Sequence, residues 1–185
     1  MSSALSKFIL RIFGWKIEGF DPNRLDKLVV IVIPHTSNWD FPLGLLVRKA
    51  LDAEHLKFVG KDSLFKPPFG ALFRWLGGYP VDRSKRTNFV DSIVDLFAHT
   101  DRLGVVLSPE GTRKKVDKLK TGFYYIALGA GVPILMVRFD WAHKLVSWSE
   151  PFQPSGDFEA DLQVIEEHYR GVQGKVPENS YMYGR

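Results

Sequence analysis

Short apolar runs alternate along this chain with longer segments whose apolar residues recur at helical spacing. Strands buried on both faces are apolar throughout, and helices between such strands connect parallel neighbours. The predicted strands are Leu28 to Ile33, Leu56 to Gly60, Leu103 to Leu107 and Val132 to Phe139, with a further strand at Lys144 to Trp148. The predicted helices are Phe41 to Leu51, Asn88 to Thr100, Thr121 to Gly129 and Phe158 to Arg170. The alternation predicts a single α/β domain, a mostly parallel sheet flanked by helices.

Residues 1–20 are predicted to form a basic amphipathic helix ahead of a domain at residues 21–185. The apolar stripe of this helix consists of Leu5, Phe8, Ile9, Ile12 and Phe13. Arg11 and Lys16 interrupt the apolar run and no small-residue cleavage site follows, so we interpret the segment as retained rather than as a signal peptide. Two alternatives stay open: the stripe lies in a membrane interface that attracts its cations, or it packs on the core of the domain.

The composition excludes several function classes. The 25 Lys and Arg against 21 Asp and Glu give a net charge of +4, which weakly favours anionic partners. With no cysteine, the chain has no thiol nucleophile, disulfide or Cys-ligated metal. The five histidines lack zinc-protease spacing, and the sequence carries no G-x-S-x-G, P-loop or dinucleotide motif. We therefore expect no metal and no resident cofactor, and no apolar run approaches the roughly 18 residues of a membrane-spanning helix.

Polar, chemically versatile residues follow two of the predicted strands. His35 and Asp40 come after the first strand, and Glu110 and Arg113 come after the third. Ligands bind at the carboxyl ends of strands in open α/β sheets, so we expect the two loops to share one edge. An imidazole held by a carboxylate is suited to general-base catalysis, and arginine is suited to binding phosphate. The alternative is a loop histidine satisfied by backbone, with Asp40 as a simple helix cap.

The order and spacing of four blocks resemble the glycerolipid acyltransferases of the 1-acylglycerol-3-phosphate (lysophosphatidic acid) acyltransferase type. The blocks are His35-Thr36-Ser37-Asn38-Trp39-Asp40 (H-x-x-x-x-D), Gly77-Gly78-Tyr79-Pro80-Val81-Asp82-Arg83, Glu110-Gly111-Thr112-Arg113 (E-G-T-R), and Gly131-Val132-Pro133-Ile134. The resemblance extends from about Leu28 to Val137, over half of the chain. A four-residue match such as E-G-T-R arises by chance in roughly one chain of this length per thousand, so the four blocks together are specific.

The resemblance implies a role for each matched position. His35 would be the catalytic base and Asp40 its orienting partner. The acceptor site would be formed by Arg83, Glu110, Gly111, Thr112 and Arg113, and Pro133 is associated with binding of the acyl donor or chain. The sequence departs from the family pattern in two respects. The family often carries N-terminal membrane helices, and this sequence has no segment that matches them. A serine commonly follows E-G-T-R in the family, whereas this chain has Lys114-Lys115 there.

From these blocks we expect an O-acyltransferase that moves a fatty acyl group from acyl-CoA or acyl-acyl-carrier protein to a lysophospholipid-like hydroxyl. The expected location is cytoplasmic, peripheral on the cytoplasmic face of the membrane, with no nucleic-acid partner. Alternatives left open are another lipid acceptor, a hydrolase using Ser37 or Ser108 as nucleophile, and a non-enzymatic membrane-binding module. The aromatic and basic residues from Leu64 to Leu76 suit an interface, although burial in the core is expected for Phe69 and Leu72.

Overall fold

The computed structural model describes residues 2–81 and 86–181, and within them one seven-stranded sheet forms the centre of the protein. The strands are β1 (Lys16–Gly19), β2 (Lys27–Ile33), β3 (Leu56–Lys61), β4 (Gly78–Val81), β5 (Leu103–Leu107), β6 (Ile134–Asp140) and β7 (Leu145–Trp148). Their order across the sheet is β1-β7-β6-β2-β5-β3-β4. The β6–β7 pair is antiparallel and the other pairs are parallel. The prediction of a mostly parallel α/β sheet is confirmed.

Six α-helices accompany this sheet in the described residues. They are α1 (Ser3–Ile12), α2 (Asp40–Ala50), α3 (Gly70–Trp75), α4 (Arg86–Ala98), α5 (Gly122–Ala130) and α6 (Phe158–Tyr169). Each strand and helix expected from the apolar pattern is present with its ends shifted by at most two residues. The pattern missed β1, β4 and α3 because they have only four to six residues, too few for a period to stand out.

The two faces of the sheet carry separate apolar cores. Along β2, Val29 and Ile31 pack with α4, α5 and α6, whereas Leu28 and Val30 pack with α1 and α2. Successive side chains of a strand point to opposite faces, so a continuous apolar run supplies both cores. This two-sided burial explains why the central strands are apolar at nearly every position.

The N-terminal helix packs on the domain through one narrow side. Leu10 and Ser6 of α1 are buried, and Ser3 Oγ donates a hydrogen bond of 3.0 Å to the carbonyl of Ala50 at the end of α2. The predicted apolar stripe points away from the core, with Phe8 60% and Phe13 63% exposed. The chain then pairs β1 with β7, so the first 20 residues also contribute a strand to the sheet.

A second set of apolar side chains is exposed on α3. Phe69 and Leu72 are 62% and 48% exposed, so the expectation that they are buried in the core is wrong. Trp75, on the same short helix, is 74% exposed. The helix has only six residues and its buried contact is made by Gly70, whose Cα lies so close to the backbone of Phe65 that a side chain would clash. None of the helices in the described ranges is long and apolar enough to cross a bilayer.

The register of the parallel strands brings three loops to one edge of the sheet. Ile31 of β2 pairs with Leu107 of β5, and Ile33 of β2 pairs with Arg138 of β6. The segments that follow β2, β5 and β6 therefore leave the sheet side by side.

Candidate active site

His35 and Asp40 contact each other at this edge of the sheet. The His35 Nδ1 atom lies 3.2 Å from Asp40 Oδ2, with the two side chains 22% and 1% exposed. Asp40 is the first residue of α2, and the loop from residues 34 to 39 folds back so that the two side chains meet. A carboxylate on Nδ1 leaves Nε2 as the ring nitrogen available to a ligand, which is the arrangement of a general base.

Asp40 is held by contacts on both of its oxygens. Oδ2 accepts a hydrogen bond of 2.8 Å from the backbone N–H of Ser37, and Oδ1 accepts one of 2.8 Å from the indole Nε1–H of Trp141. Asp40 therefore does not act as a simple N-cap, because its side chain binds a residue that precedes the helix and one that follows β6. These donors satisfy a buried carboxylate, which would otherwise be costly to keep charged.

Glu110 reaches the same loop from the other side. Its Oε2 atom accepts hydrogen bonds from the backbone N–H of His35, at 2.6 Å, and from Ser108 Oγ, at 3.3 Å. The side chain is only 2% exposed, and burial raises the pKa of Glu110 to about 7 against the opposing effect of its bond with the His35 backbone. The carboxyl group thus anchors the segment that carries the histidine, and a direct contact of Glu110 with the acceptor stays a prediction.

The turn after β5 places polar and basic groups beside His35. Gly111 has φ of +64°, a backbone conformation that favours glycine, and the flexible side chain of Lys120 lies beside it. The Gly111 N–H donates to the Ser108 carbonyl at 3.0 Å. Thr112 and Arg113 follow this turn and are exposed at the mouth of a cleft.

This cleft has a volume of about 1120 Å³ and runs from the loops into the protein between α2 and the sheet. Its mouth is lined by His35, Asp40, Gly111, Thr112, Arg113 and Lys120. Its interior is mostly apolar, with Arg48 among its lining residues beside Val30, Val47, Leu56, Phe58, Val106 and Phe139. A polar, cationic entrance that leads to an apolar interior suits an amphiphile with an anionic head and a hydrocarbon chain.

Two other His–Asp contacts provide a comparison within the same molecule. His99 Nδ1 lies 3.3 Å from Asp95 Oδ1, and His143 Nδ1 lies 2.7 Å from Asp140 Oδ2. The two histidine side chains are 75% and 74% exposed, and neither residue lines the cleft. Proximity to a carboxylate therefore does not distinguish His35 from the other two histidines. His35 differs from them because it is more buried and because it lines the cleft.

Among the residues implied by the resemblance, Pro133 lies away from this cleft. Pro133 precedes β6 at the opposite edge of the sheet, where its carbonyl accepts a hydrogen bond of 2.9 Å from the Val29 N–H. Its association with the acyl donor stays a prediction. Arg83 lies outside the described residues.

Sequence reasoning missed Trp141 and Lys175, which complete the site. Lys175 Nζ lies 4.5 Å from the ring centroid of Trp141 and 4.9 Å from that of Trp39. Trp141 directly follows β6, so the strand-end rule that identified His35 and Glu110 also indicates this tryptophan. No local signal indicates Lys175, because it lies in the segment after α6.

The segment after α6 packs against the His35 loop. The backbone N–H of Val176 donates to Thr36 Oγ1 at 3.1 Å, and the Trp141 N–H donates to the Gln173 carbonyl at 2.9 Å. Gly174 lies so close to Thr36 that a Cβ would approach Thr36 Oγ1 to 2.5 Å. This polar segment is thus part of the framework of the site.

The chain is similar to proteins of known activity. It is 31% identical to the 1-acyl-sn-glycerol-3-phosphate acyltransferase of Escherichia coli K12 over 134 residues, which are 68% of this chain and 53% of that protein. It is also 31% identical to 1-acyl-sn-glycerol-3-phosphate acyltransferase beta of Homo sapiens over 162 residues, or 83% of this chain and 56% of that protein. The chain thus spans about half the length of these curated relatives.

A solved structure resembles the fold as a whole. The crystal structure of the 1-acyl-sn-glycerophosphate (LPA) acyltransferase PlsC from Thermotoga maritima superposes with a TM-score of 0.62 at 26% sequence identity, covering 92% of this chain and 76% of that one. The family model described as Acyltransferase matches residues 16–140, from β1 to the end of β6. This range includes the His35–Asp40 pair and the Glu110 turn. The chain belongs to the acyltransferase family.

Proposed function

We propose that this protein is an O-acyltransferase that moves a fatty acyl group from an acyl thioester to the free hydroxyl of 1-acylglycerol-3-phosphate. The donor would be acyl-CoA or acyl-acyl-carrier protein. The observation that carries the proposal is the contact of 3.2 Å between His35 Nδ1 and a buried Asp40 carboxylate at the mouth of a cleft with an apolar interior. The similarity to 1-acyl-sn-glycerol-3-phosphate acyltransferases supports the same acceptor.

The proposed reaction is direct transfer with His35 as the general base. Nε2 takes the proton of the acceptor hydroxyl as its oxygen attacks the thioester carbonyl and forms a tetrahedral intermediate. The C–S bond then breaks, the imidazolium returns the proton to the departing thiolate, and the acyl group stays on the acceptor as an ester. Asp40 on Nδ1 orients the ring and stabilises the imidazolium that forms. Because α2 begins at Asp40, next to His35 in the cleft mouth, we propose that the positive end of its dipole stabilises the oxyanion that develops.

The acyl chain is proposed to occupy the apolar interior of the cleft beneath α2. Val47 lies on the inner side of α2, and Val30 and Val106 lie on the sheet opposite it. Hydrocarbon in this space is stabilised by about 0.8 kcal/mol for each buried methylene. Arg113 and Lys120 at the mouth are proposed to bind the phosphate of the acceptor, because Arg offers paired donors and both carry positive charge.

Peripheral attachment to a membrane is part of the proposal. The exposed stripe of α1 includes Phe8, Ile12 and Phe13, and Lys7 and Arg11 flank it. Phenylalanine beside cationic side chains is typical of helices that lie in the interface of an anionic bilayer. Such attachment would hold the cleft near a substrate that resides in the membrane.

The experiment that tests the proposal is acyl transfer by purified protein from radiolabelled acyl-CoA or acyl-acyl-carrier protein to a panel of hydroxyl acceptors. His35→Ala should lower turnover by about 10²- to 10⁴-fold without changing the melting temperature. His99→Ala is the matched control, since it removes a histidine with its own aspartate contact from outside the cleft. Wild-type turnover by His35→Ala would refute the assignment, and absence of transfer to any acceptor would refute the proposed function.

A hydrolase with a serine nucleophile receives no support from the contacts of the two candidate serines. Ser108 Oγ donates to Glu110 Oε2, and Ser37 Oγ accepts from the Trp39 N–H at 3.2 Å. Direct transfer forms no covalent enzyme intermediate. Intact-mass measurement after incubation with the donor alone should therefore show no acyl adduct.

A further inference from the structure

The contact between Trp141 and Asp40 joins residues that are 101 positions apart in the chain. Trp141 directly follows β6 and Asp40 begins α2, so the contact forms only when the sheet has assembled. Its length of 2.8 Å is that of a well-formed hydrogen bond, and its acceptor is a carboxylate that is almost completely buried.

We propose that Trp141 is a positioning residue: its indole N–H binds Asp40 Oδ1 and thereby directs Oδ2 toward the His35 ring. This inference rests on the proposed function, in which His35 is the base. A carboxylate attached to a helix N-terminus can rotate about its χ2 angle, which would exchange or tilt its oxygens. The Ser37 N–H fixes Oδ2, and Trp141 fixes Oδ1 from the opposite direction, so the plane of the carboxylate is determined.

The indole of Trp141 packs among aromatic, cationic and backbone groups. The ring of Trp15 meets that of Trp141 edge-on, with centroids 4.9 Å apart and planes at 89°. The Lys175 ammonium lies 4.5 Å from the Trp141 centroid, a cation–π contact from the segment after α6. The backbone of Trp141 is itself bound to that of Gln173. Tryptophan is the aromatic residue that fits here because phenylalanine lacks the N–H and tyrosine carries its donor at a different place.

Trp141→Phe removes the donor while it keeps an aromatic ring. Loss of a hydrogen bond to a buried carboxylate should lower kcat by about 10- to 100-fold and leave the KM for both substrates nearly unchanged, because Trp141 does not line the cleft. The matched control is Trp15→Phe, which makes the same substitution in the neighbouring ring but leaves the Asp40 contact. We expect its kcat to stay within about twofold of the wild type.

A double-mutant cycle separates positioning from a general structural effect. If Trp141 acts through Asp40, Trp141→Phe should cause no further loss of kcat in an Asp40→Ala background. Additive losses, an effect confined to KM, or an equal loss in Trp15→Phe would each overturn the proposal. Unchanged kcat in Trp141→Phe, with His35→Ala inactive, would overturn this inference and leave the proposed function standing.

The hydrogen bond between Trp141 and Asp40 can also be tested by NMR, without an activity assay. This measurement applies even if a variant is unstable or no acceptor is turned over. The indole N–H resonance of Trp141 in ¹⁵N-labelled protein should move when Asp40 is changed to Asn, because the acceptor loses its charge. The corresponding resonance of Trp15 should move much less. A Trp141 resonance that is insensitive to Asp40→Asn would show that the bond does not form in solution and would overturn the proposal.

Discussion

The buried carboxyl group of Glu110 should make the stability of this protein depend on pH in a defined direction. Burial raises its pKa in the folded protein from 4.5 to about 7. Below pH 4.5 the group is protonated in both folded and unfolded chains, and its contribution to stability is fully present. Between pH 4.5 and 7 the unfolded chain has lost the proton that the folded chain still holds, so stability falls as pH rises and the contribution is gone above pH 7.

The perturbation that isolates this effect is Glu110→Gln, which keeps an oxygen to accept the His35 N–H but does not titrate. A pKa difference between 4.5 and about 7 corresponds to about 3 kcal/mol at 1.36 kcal/mol per unit. The free energy of unfolding of the Gln variant, relative to wild type, should therefore increase by about 3 kcal/mol between pH 4 and pH 8. The pH dependence of the other groups is common to both proteins and cancels in the difference.

The assay is urea unfolding followed by tryptophan fluorescence at half-unit steps of pH, with the free energy extrapolated linearly to zero urea. Glu150→Gln is the matched control, because it removes the same charge from an exposed position. The difference in unfolding free energy between Glu150→Gln and the wild type should vary by less than about 0.5 kcal/mol over the same pH range. If the difference in unfolding free energy between Glu110→Gln and the wild type does not change with pH, or falls as pH rises, burial does not raise the pKa of Glu110.

Two further predictions concern the cleft mouth and α1. Arg113→Ala should raise the KM for the acceptor by about tenfold with little change in kcat, as measured by initial rates. Lys118→Ala, on the same loop but outside the cleft lining, should change neither constant. Equal effects of the two substitutions would contradict a phosphate contact by Arg113. Phe8→Ser should reduce co-sedimentation with anionic phospholipid vesicles by about tenfold, because a phenylalanine contributes roughly 1.5–3 kcal/mol when buried. Val164→Ser, at a position 50% exposed on α6, should have no effect, and equal loss in both variants would argue against α1 as the membrane contact.

The fold and part of the site could be predicted because they depend on local patterns. A short apolar run such as Leu103 to Leu107, bounded by polar residues, favours a strand, and parallel strands end at the same edge of a sheet. His35 and Asp40 belong to one loop and the start of the helix that follows it, so five residues of chain already restrict their separation. The short strand β4 was missed because it offers four residues, one of them proline.

The sequence by itself predicted the longer strands and helices, the edge of the sheet that carries the chemistry, and His35 with Asp40 as a candidate pair, since each depends on residues that are neighbours in the chain. Only the tertiary structure decided which distant groups complete that site. Trp141 is brought to Asp40 by the pairing of β6 with β2, and Lys175 arrives by the path taken after α6. It also decided that the α1 stripe faces outward and that Glu110 is buried behind His35. The register of the strands, the path of the chain between them and the burial of side chains depend on the packing of the whole chain, and no local spacing encodes them.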